Sequence, residues 1–241
     1  MPIATPSRRT ALGLAAGAAA LPFLPAGLSW AAPEAAHQPA APGMTPDKAL
    51  AMLREGNERF VTDAPYRAET GRDRRLALAR GQQPFAVLVG CSDSRVPPEI
   101  LFGRGLGELF IVRTAGNTVD TAGLGSIEYA VAHLGVPLVV VLGHERCGAV
   151  AAAVDLVTKG AEPPDAIGRM VEPIVPAVLR AQRASGGKDL VDAAVRANVM
   201  RVVEQLRIAG PMLIDPIKAG TLRVVGARYD LDDGRVEFME G

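Results

Sequence analysis

The chain has 241 residues, enough for one substantial domain with a buried core or at most two small ones. Apolar residues make up 49% and charged residues 22%, the balance of an ordinary globular protein. With 26 basic against 26 acidic side chains the formal charge is zero, so the basic footprint of a nucleic-acid binder is missing, as is any long-range steering of a charged substrate.

The first 31 residues read as an export signal. Arg8-Arg9 precedes a weakly apolar, Ala- and Gly-rich run that ends near Trp30, which resembles a twin-arginine leader. Ser29-Trp30-Ala31 carries small residues suited to cleavage after Ala31, and Pro22 and Pro25 weaken the run as a membrane-spanning helix. Export, with the periplasm as destination and no stable membrane insertion after cleavage, is the expectation. Residues 32–44 hold Ala, Pro and polar residues without periodicity and read as a flexible linker, with His37 a bystander in it. The folded domain is expected over residues 45–241.

Thr45-Pro46-Asp47 opens a helix: Thr45 can cap it, and Pro46 fits its first position. Ala49, Leu50, Met52, Leu53 and Phe60 give that helix a buried stripe. A polar stretch with Arg72, Arg74 and Arg75 follows. Residues 85–90, 109–112 and 137–142 are unbroken apolar runs, the pattern of strands covered on both faces. Residues 121–134, 149–157 and 190–208 read as helices. Residues 222–229, then Asp232-Asp233-Gly234, then 235–239 predict a terminal hairpin. Strands alternating with helices predict an α/β fold with a mainly parallel central sheet flanked by helices, and sites beyond the C-terminal strand ends.

Two motifs fall at such ends. Cys91-Ser92-Asp93-Ser94-Arg95 follows the first run, and Gly143-His144-Glu145-Arg146-Cys147-Gly148 follows the third. They hold both cysteines of the chain and one of its three histidines. Two thiolates, an imidazole and a carboxylate make a tetrahedral set suited to zinc. Either motif alone is weak. Two cysteines in an exported protein also suit a disulfide. Together, at two strand ends of one sheet, they point to metal.

The two motifs resemble the signature of β-carbonic anhydrases. The likeness runs from about Thr45 to the C-terminus and includes residues 107–110, residues 113–117 (with Thr114 where the family commonly has Asn) and residues 126–130. It implies a zinc enzyme that interconverts carbon dioxide and bicarbonate, with Cys91, His144 and Cys147 as permanent ligands. Asp93 either takes the fourth position on zinc or pairs with Arg95 and leaves that position to water, since an Arg fork can hold a carboxylate away from a metal. By resemblance Gln82 binds the substrate oxygen and Tyr129 lines the apolar pocket, although Tyr129 also suits plain core packing. Gly148 either lets backbone approach the site or starts a helix. Two thiolates cancel the charge of the ion, so activity is expected to rise toward alkaline pH. His133 is a proton shuttle only if the fold brings it near.

An inhibitory bicarbonate pocket, known in some members, is not expected. Leu88 stands where those members carry tryptophan, although Arg113 and Tyr229 match the other two positions. The resemblance further implies a homodimer or homotetramer, with the helix after Thr45 reaching across to the partner. Hydrolysis of carbon disulfide or carbonyl sulfide on the same fold, and zinc binding without turnover, are the alternative readings.

Overall fold

Aliphatic runs too short for helices and too apolar for a surface become the centre of one five-stranded sheet. Its strands are β1 (Ala86–Gly90), β2 (Leu109–Arg113), β3 (Leu138–His144), β4 (Arg223–Tyr229) and β5 (Val236–Met239). The order is β2-β1-β3-β4-β5; the pairings among β2, β1, β3 and β4 are parallel, and β4 with β5 is antiparallel. Every residue of β1 and β3 is buried, as strands covered on both faces require. The predicted hairpin is present. Asp230 shapes its turn by accepting the Asp232 N–H at 2.9 Å, and Gly234 supplies a φ of 77°. The computed structural model describes residues 43–186 and 189–239. The predicted leader, its cleavage site and His37 lie outside the described residues.

Strand alternation divides the core. Val87, Val89, Val139 and Val141 face one layer, while Leu88, Leu138, Val140 and Leu142 face the other. The first layer is covered by α4 (Thr121–Leu134) and α8 (Leu190–Arg207), the second by α1 (Pro46–Val61). Helix α1 starts as predicted: Thr45 Oγ1 accepts the Lys48 N–H at 3.3 Å, and Pro46 needs no donor there. Asp120 caps α4 through the Gly123 N–H at 2.8 Å. A third cluster gathers Cys91 and Cys147 with apolar residues of α5 (Gly148–Lys159), α8 and the segment between them.

Five further helices occur among the described residues where no element was predicted: α2 (Arg72–Leu78), α3 (Pro98–Leu101), α6 (Asp165–Val171), α7 (Val175–Ser185) and α9 (Pro211–Lys218). Helix α2 buries no residue, so it has no stripe to read. Proline obscures the others: Pro164, Pro176 and Pro211 stand at helix starts, where proline is tolerated, yet they read as breakers in sequence. No described helix is long and apolar enough to cross a membrane.

The contact between α8 and the sheet is tight. A Cβ on Gly143 would lie 2.5 Å from Val199 Cγ2 and 3.1 Å from Val195 Cγ1, so any side chain there must push α8 off β3. Gly143→Ala is expected to destabilise the fold by about 1–3 kcal/mol through overpacking, read as a lower denaturant midpoint in urea unfolding.

Candidate metal centre

From β1 the chain passes to β2 on one side, and β3 then lies on the other side of β1. The ends of β1 and β3 therefore flank a crevice where the winding reverses, the usual place for a site in such a sheet. Gly90 pairs with Leu142, so Cys91, one step beyond β1, and His144, the last residue of β3, leave the sheet side by side. Glu145 and Arg146 then turn the chain back. The Glu145 N–H donates to Tyr229 O at 2.9 Å. Arg146 has a φ of 51°, uncommon for a residue with a long side chain, and its guanidinium holds Asp232 through two bonds of 3.0 and 2.6 Å. That turn delivers Cys147 to the N-cap of α5, where it faces Cys91.

The three donors are buried together. Cys91 Sγ and Cys147 Sγ lie 3.9 Å apart, and the two sulfurs and a His144 ring nitrogen all lie within 4.8 Å of one another. A disulfide has a bond of about 2.05 Å, so this pair is not one, and both cysteines are free. Zinc–sulfur bonds of about 2.3 Å at a tetrahedral angle put two sulfurs about 3.8 Å apart, which is the observed spacing. His144 Nδ1 lies 2.9 Å from the Glu145 carbonyl, which can only accept, so Nδ1 carries the proton and Nε2 presents a lone pair. That Nε2 is fully buried and has no hydrogen-bond partner. A buried acceptor left bare beside two thiols is a ligand position, and the carbonyl on Nδ1 is the orienting contact that metal-bound histidines use.

The electrostatics agree. The Cys147 contact, with help from His144 and the Gly116 N–H, pulls the Cys91 thiol below its ordinary range; the same contact and burial push Cys147 up. A divalent ion held here would balance two thiolates.

Asp93 pairs with Arg95, the contact that the second of its two predicted arrangements requires. Arg95 forks it, with Nε to Oδ1 at 3.0 Å and Nη2 to Oδ2 at 2.7 Å, and the Arg95 N–H adds a bond of 2.9 Å. The guanidinium holds this carboxyl far below the usual carboxylate range. Oδ2 still lies only 3.8 Å from His144 Nε2, at the mouth of the cluster. Arg113 fixes the loop beneath by donating to the Cys91 and Asp93 carbonyls at 2.7 and 2.6 Å. Leu88, in the position of the absent tryptophan, is wholly core.

Three other predicted residues, Gln82, Tyr129 and His133, are not brought to this cluster, whereas Gly148 adjoins it as the residue after Cys147. Gln82 precedes β1 whereas Cys91 follows it. Tyr129 lies in α4, half-buried, its ring tilted against Phe110 at 6.4 Å and against His133 at 5.3 Å between centroids. Phe110 is level with Val87, at the far end of β1 from Cys91, so Tyr129 packs there against core residues. His133 lies one residue before the end of α4, which leads back to the start of β3, and is no shuttle for the cluster within this chain. Gly148 begins α5 with open space around it, so nothing in the described structure requires a glycine there.

Two contributors were missed: the Gly116 N–H, 3.3 Å from Cys91 Sγ, and Asn198, which holds the Gly116 carbonyl at 2.8 Å. Asn198 did leave a signal, being a polar residue among Ala194, Val195, Val199 and Val202 on the buried stripe of α8. Thiol titration of protein unfolded without reductant is expected to find two free thiols per chain. Titration of the metal-free folded protein should find both thiols slow to react, because both are buried.

Residues 86–236 match the family model for carbonic anhydrase. Carbonic anhydrase 2 of Mycobacterium tuberculosis is 46% identical over 199 residues, 83% of this chain and 95% of that protein. The carbonic anhydrase of Mycolicibacterium smegmatis is 44% identical over 197 residues, 82% of this chain and 95% of that one. Among solved structures, a tetrameric β-carbonic anhydrase from the ascomycete Sordaria macrospora superposes with a TM-score of 0.63 at 29% identity, covering 69% of this chain and 86% of its own. The β-carbonic anhydrase CcaA gives a TM-score of 0.63 at 26% identity over 80% of this chain and 95% of its own. With its sheet, its crevice and its full set of strand-end motifs inside the matched region, the chain belongs to the β class of the carbonic anhydrase family.

Proposed function

We propose that the chain hydrates carbon dioxide reversibly to bicarbonate and a proton at a zinc ion held by Cys91, His144 and Cys147. One observation carries the metal: the bare, buried Nε2 of His144 beside two sulfurs at ligand spacing. A zinc ion bound by these residues would supply Lewis acidity to activate water, weaker than in an all-imidazole site because two thiolates would offset its charge.

The remaining steps belong to the chain. Arg95 keeps Asp93 ionised and engages both of its carboxylate oxygens. From there Asp93 Oδ2 can accept a hydrogen bond from the attacking water and aim its lone pair at the substrate carbon. A carboxylate held so acidic is a poor store for the departing proton, so it orients the water and the proton leaves to buffer. Arg113 holds the loop that carries Asp93 still by donating to the Cys91 and Asp93 carbonyls.

Gln82 can take part only through a second copy. The five residues of β1 span about 16 Å and separate it from Cys91 of its own chain. A homodimer or homotetramer would bring Gln82 and Tyr129 of one copy to the crevice of another, and the Sordaria relatives are described as tetrameric. Residues 1–31 are read, from the sequence alone, as the leader that exports the enzyme.

Three measurements test this reading. Stopped-flow hydration with zinc analysis on one sample is expected to give fast turnover that rises toward alkaline pH and about one zinc per chain, both lost in Cys147→Ser. Zinc without hydration, but with hydrolysis of carbon disulfide or carbonyl sulfide, would move the substrate; zinc with no turnover at all would remove the enzyme reading. Arg95→Met is expected to keep zinc and lower kcat by about 10-fold or more, the size of lost acid–base and orienting effects. Mixed oligomers of Gln82→Ala and Cys147→Ser chains should recover part of the activity that each lacks alone, because one of their sites then has both wild-type residues; no recovery would place Gln82 outside the site.

A further inference from the structure

The segment after β2 makes an unusual turn. Gly116 and Asn117 both have left-handed backbones, with φ of 73° and 46°. Consecutive residues in that region persist only where the surroundings over-determine them. Gly116 is also the residue whose N–H reaches the Cys91 sulfur, at 3.3 Å. Glycine lacks a Cβ to limit its rotation, and a Cβ here would lie 2.6 Å from Ile174 Cδ1 and 3.1 Å from Ala149 Cβ. The site therefore has a hydrogen bond on a ligand sulfur that comes from the least constrained kind of residue.

Helix α8 supplies the constraint. Asn198, completely buried, donates Nδ2 to the Gly116 carbonyl at 2.8 Å. One face of α8 carries Gln205 seven residues on, and its Nε2 donates to the Val119 carbonyl at 3.2 Å. Two amides two turns apart thus grip the same loop. The orientation of the Asn198 amide is settled by chemistry: Arg201 Nε and Nη2 both lie 3.3 Å from Asn198 Oδ1, and a guanidinium can only donate. Oxygen must face Arg201, so the NH2 must face Gly116.

We propose that Asn198, locked by Arg201, is a positioning residue for the metal centre: it fixes Gly116 so that its N–H stays on the Cys91 sulfur and draws charge from that ligand. This rests on the zinc reading of the cluster. The helix responsible packs on β3 and β4, so the tuning of one ligand is tied to the sheet itself rather than to the loop that carries the donor. The set of two thiolates and one imidazole leaves little positive charge on an ion, and an N–H on one thiolate restores some of it.

The test uses cobalt(II) in place of zinc in the full-length protein, reading the sulfur-to-cobalt charge-transfer band and the metal affinity by chelator competition. Asn198→Asp keeps the shape of the side chain and its contact with Arg201 but cannot donate to Gly116. Without the N–H the sulfur electrons are held less tightly, so the band is expected to move to longer wavelength at full cobalt loading, with affinity down by about 10-fold. Arg201→Met, which frees the amide to turn without burying a charge, is expected to move the band the same way by less, and it decides the matter if Asn198→Asp fails to fold. An unmoved band in the folded variants, with only the melting temperature lowered, would make Asn198 a packing residue and overturn the proposal while leaving the metal centre intact. Wild-type protein that binds neither cobalt nor zinc would overturn both.

Discussion

Two thiols and an imidazole, all but sealed from water, meet within 4.8 Å of one another. Such a cluster is uncomfortable by itself. One sulfur tends to ionise with the help of the other, the second is pushed the opposite way, and the imidazole keeps a bare lone pair. Burying unsatisfied polar atoms costs free energy, and a bound cation would complete this arrangement. Much of the surrounding architecture follows from the need to bring these three side chains together. Parallel strands with adjacent ends present Cys91 and His144, and a tight turn pinned by Arg146 and Asp232 brings Cys147 back to them.

Around that cluster, charge is arranged in tiers. Asp93 lies 3.8 Å from the bare nitrogen of His144, and Arg95 takes both of its oxygens. Arg113, one strand over, fixes the backbone from which Asp93 projects. A carboxylate that is held ionised and held aside can orient a water without blocking it. The same arrangement in a structural zinc site would have no purpose, which is why the Asp93–Arg95 fork, together with family membership, speaks for turnover.

Helix α8 links fold to site. Val199 lies against Gly143 and Gly226, where either glycine would collide with it on gaining a side chain, and so α8 rests directly on the backbone of β3 and β4. From that seat Asn198 and Gln205 reach over to the loop that touches Cys91. Packing of the core is thereby coupled to the surroundings of Cys91, and the one polar residue fully buried in the stripe of α8 is the connection.

The strands of the sheet, the main flanking helices and the grouping of Cys91, His144 and Cys147 were legible in the sequence, because the runs and motifs that carry them are local. Unbroken aliphatic runs have one stable use, a strand covered on both faces, and a chain with two cysteines offers few ways to build a soft-metal site. The helices between α5 and α8 were not legible, since their starts are marked by prolines that also mark breaks, and α2 has no buried side to give it a period. Which arrangement Asp93 adopts was open in the sequence, for both use the same residues; only the distances to Arg95 and His144 distinguish them. The separation of Gln82 and Tyr129 from Cys91, and the reach of Asn198 to Gly116 across 82 positions of sequence, depend on strand order and helix packing. Spacing along a chain determines which chemistry is available, but contact between distant positions is set by how the sheet is wound, and no local pattern carries that information.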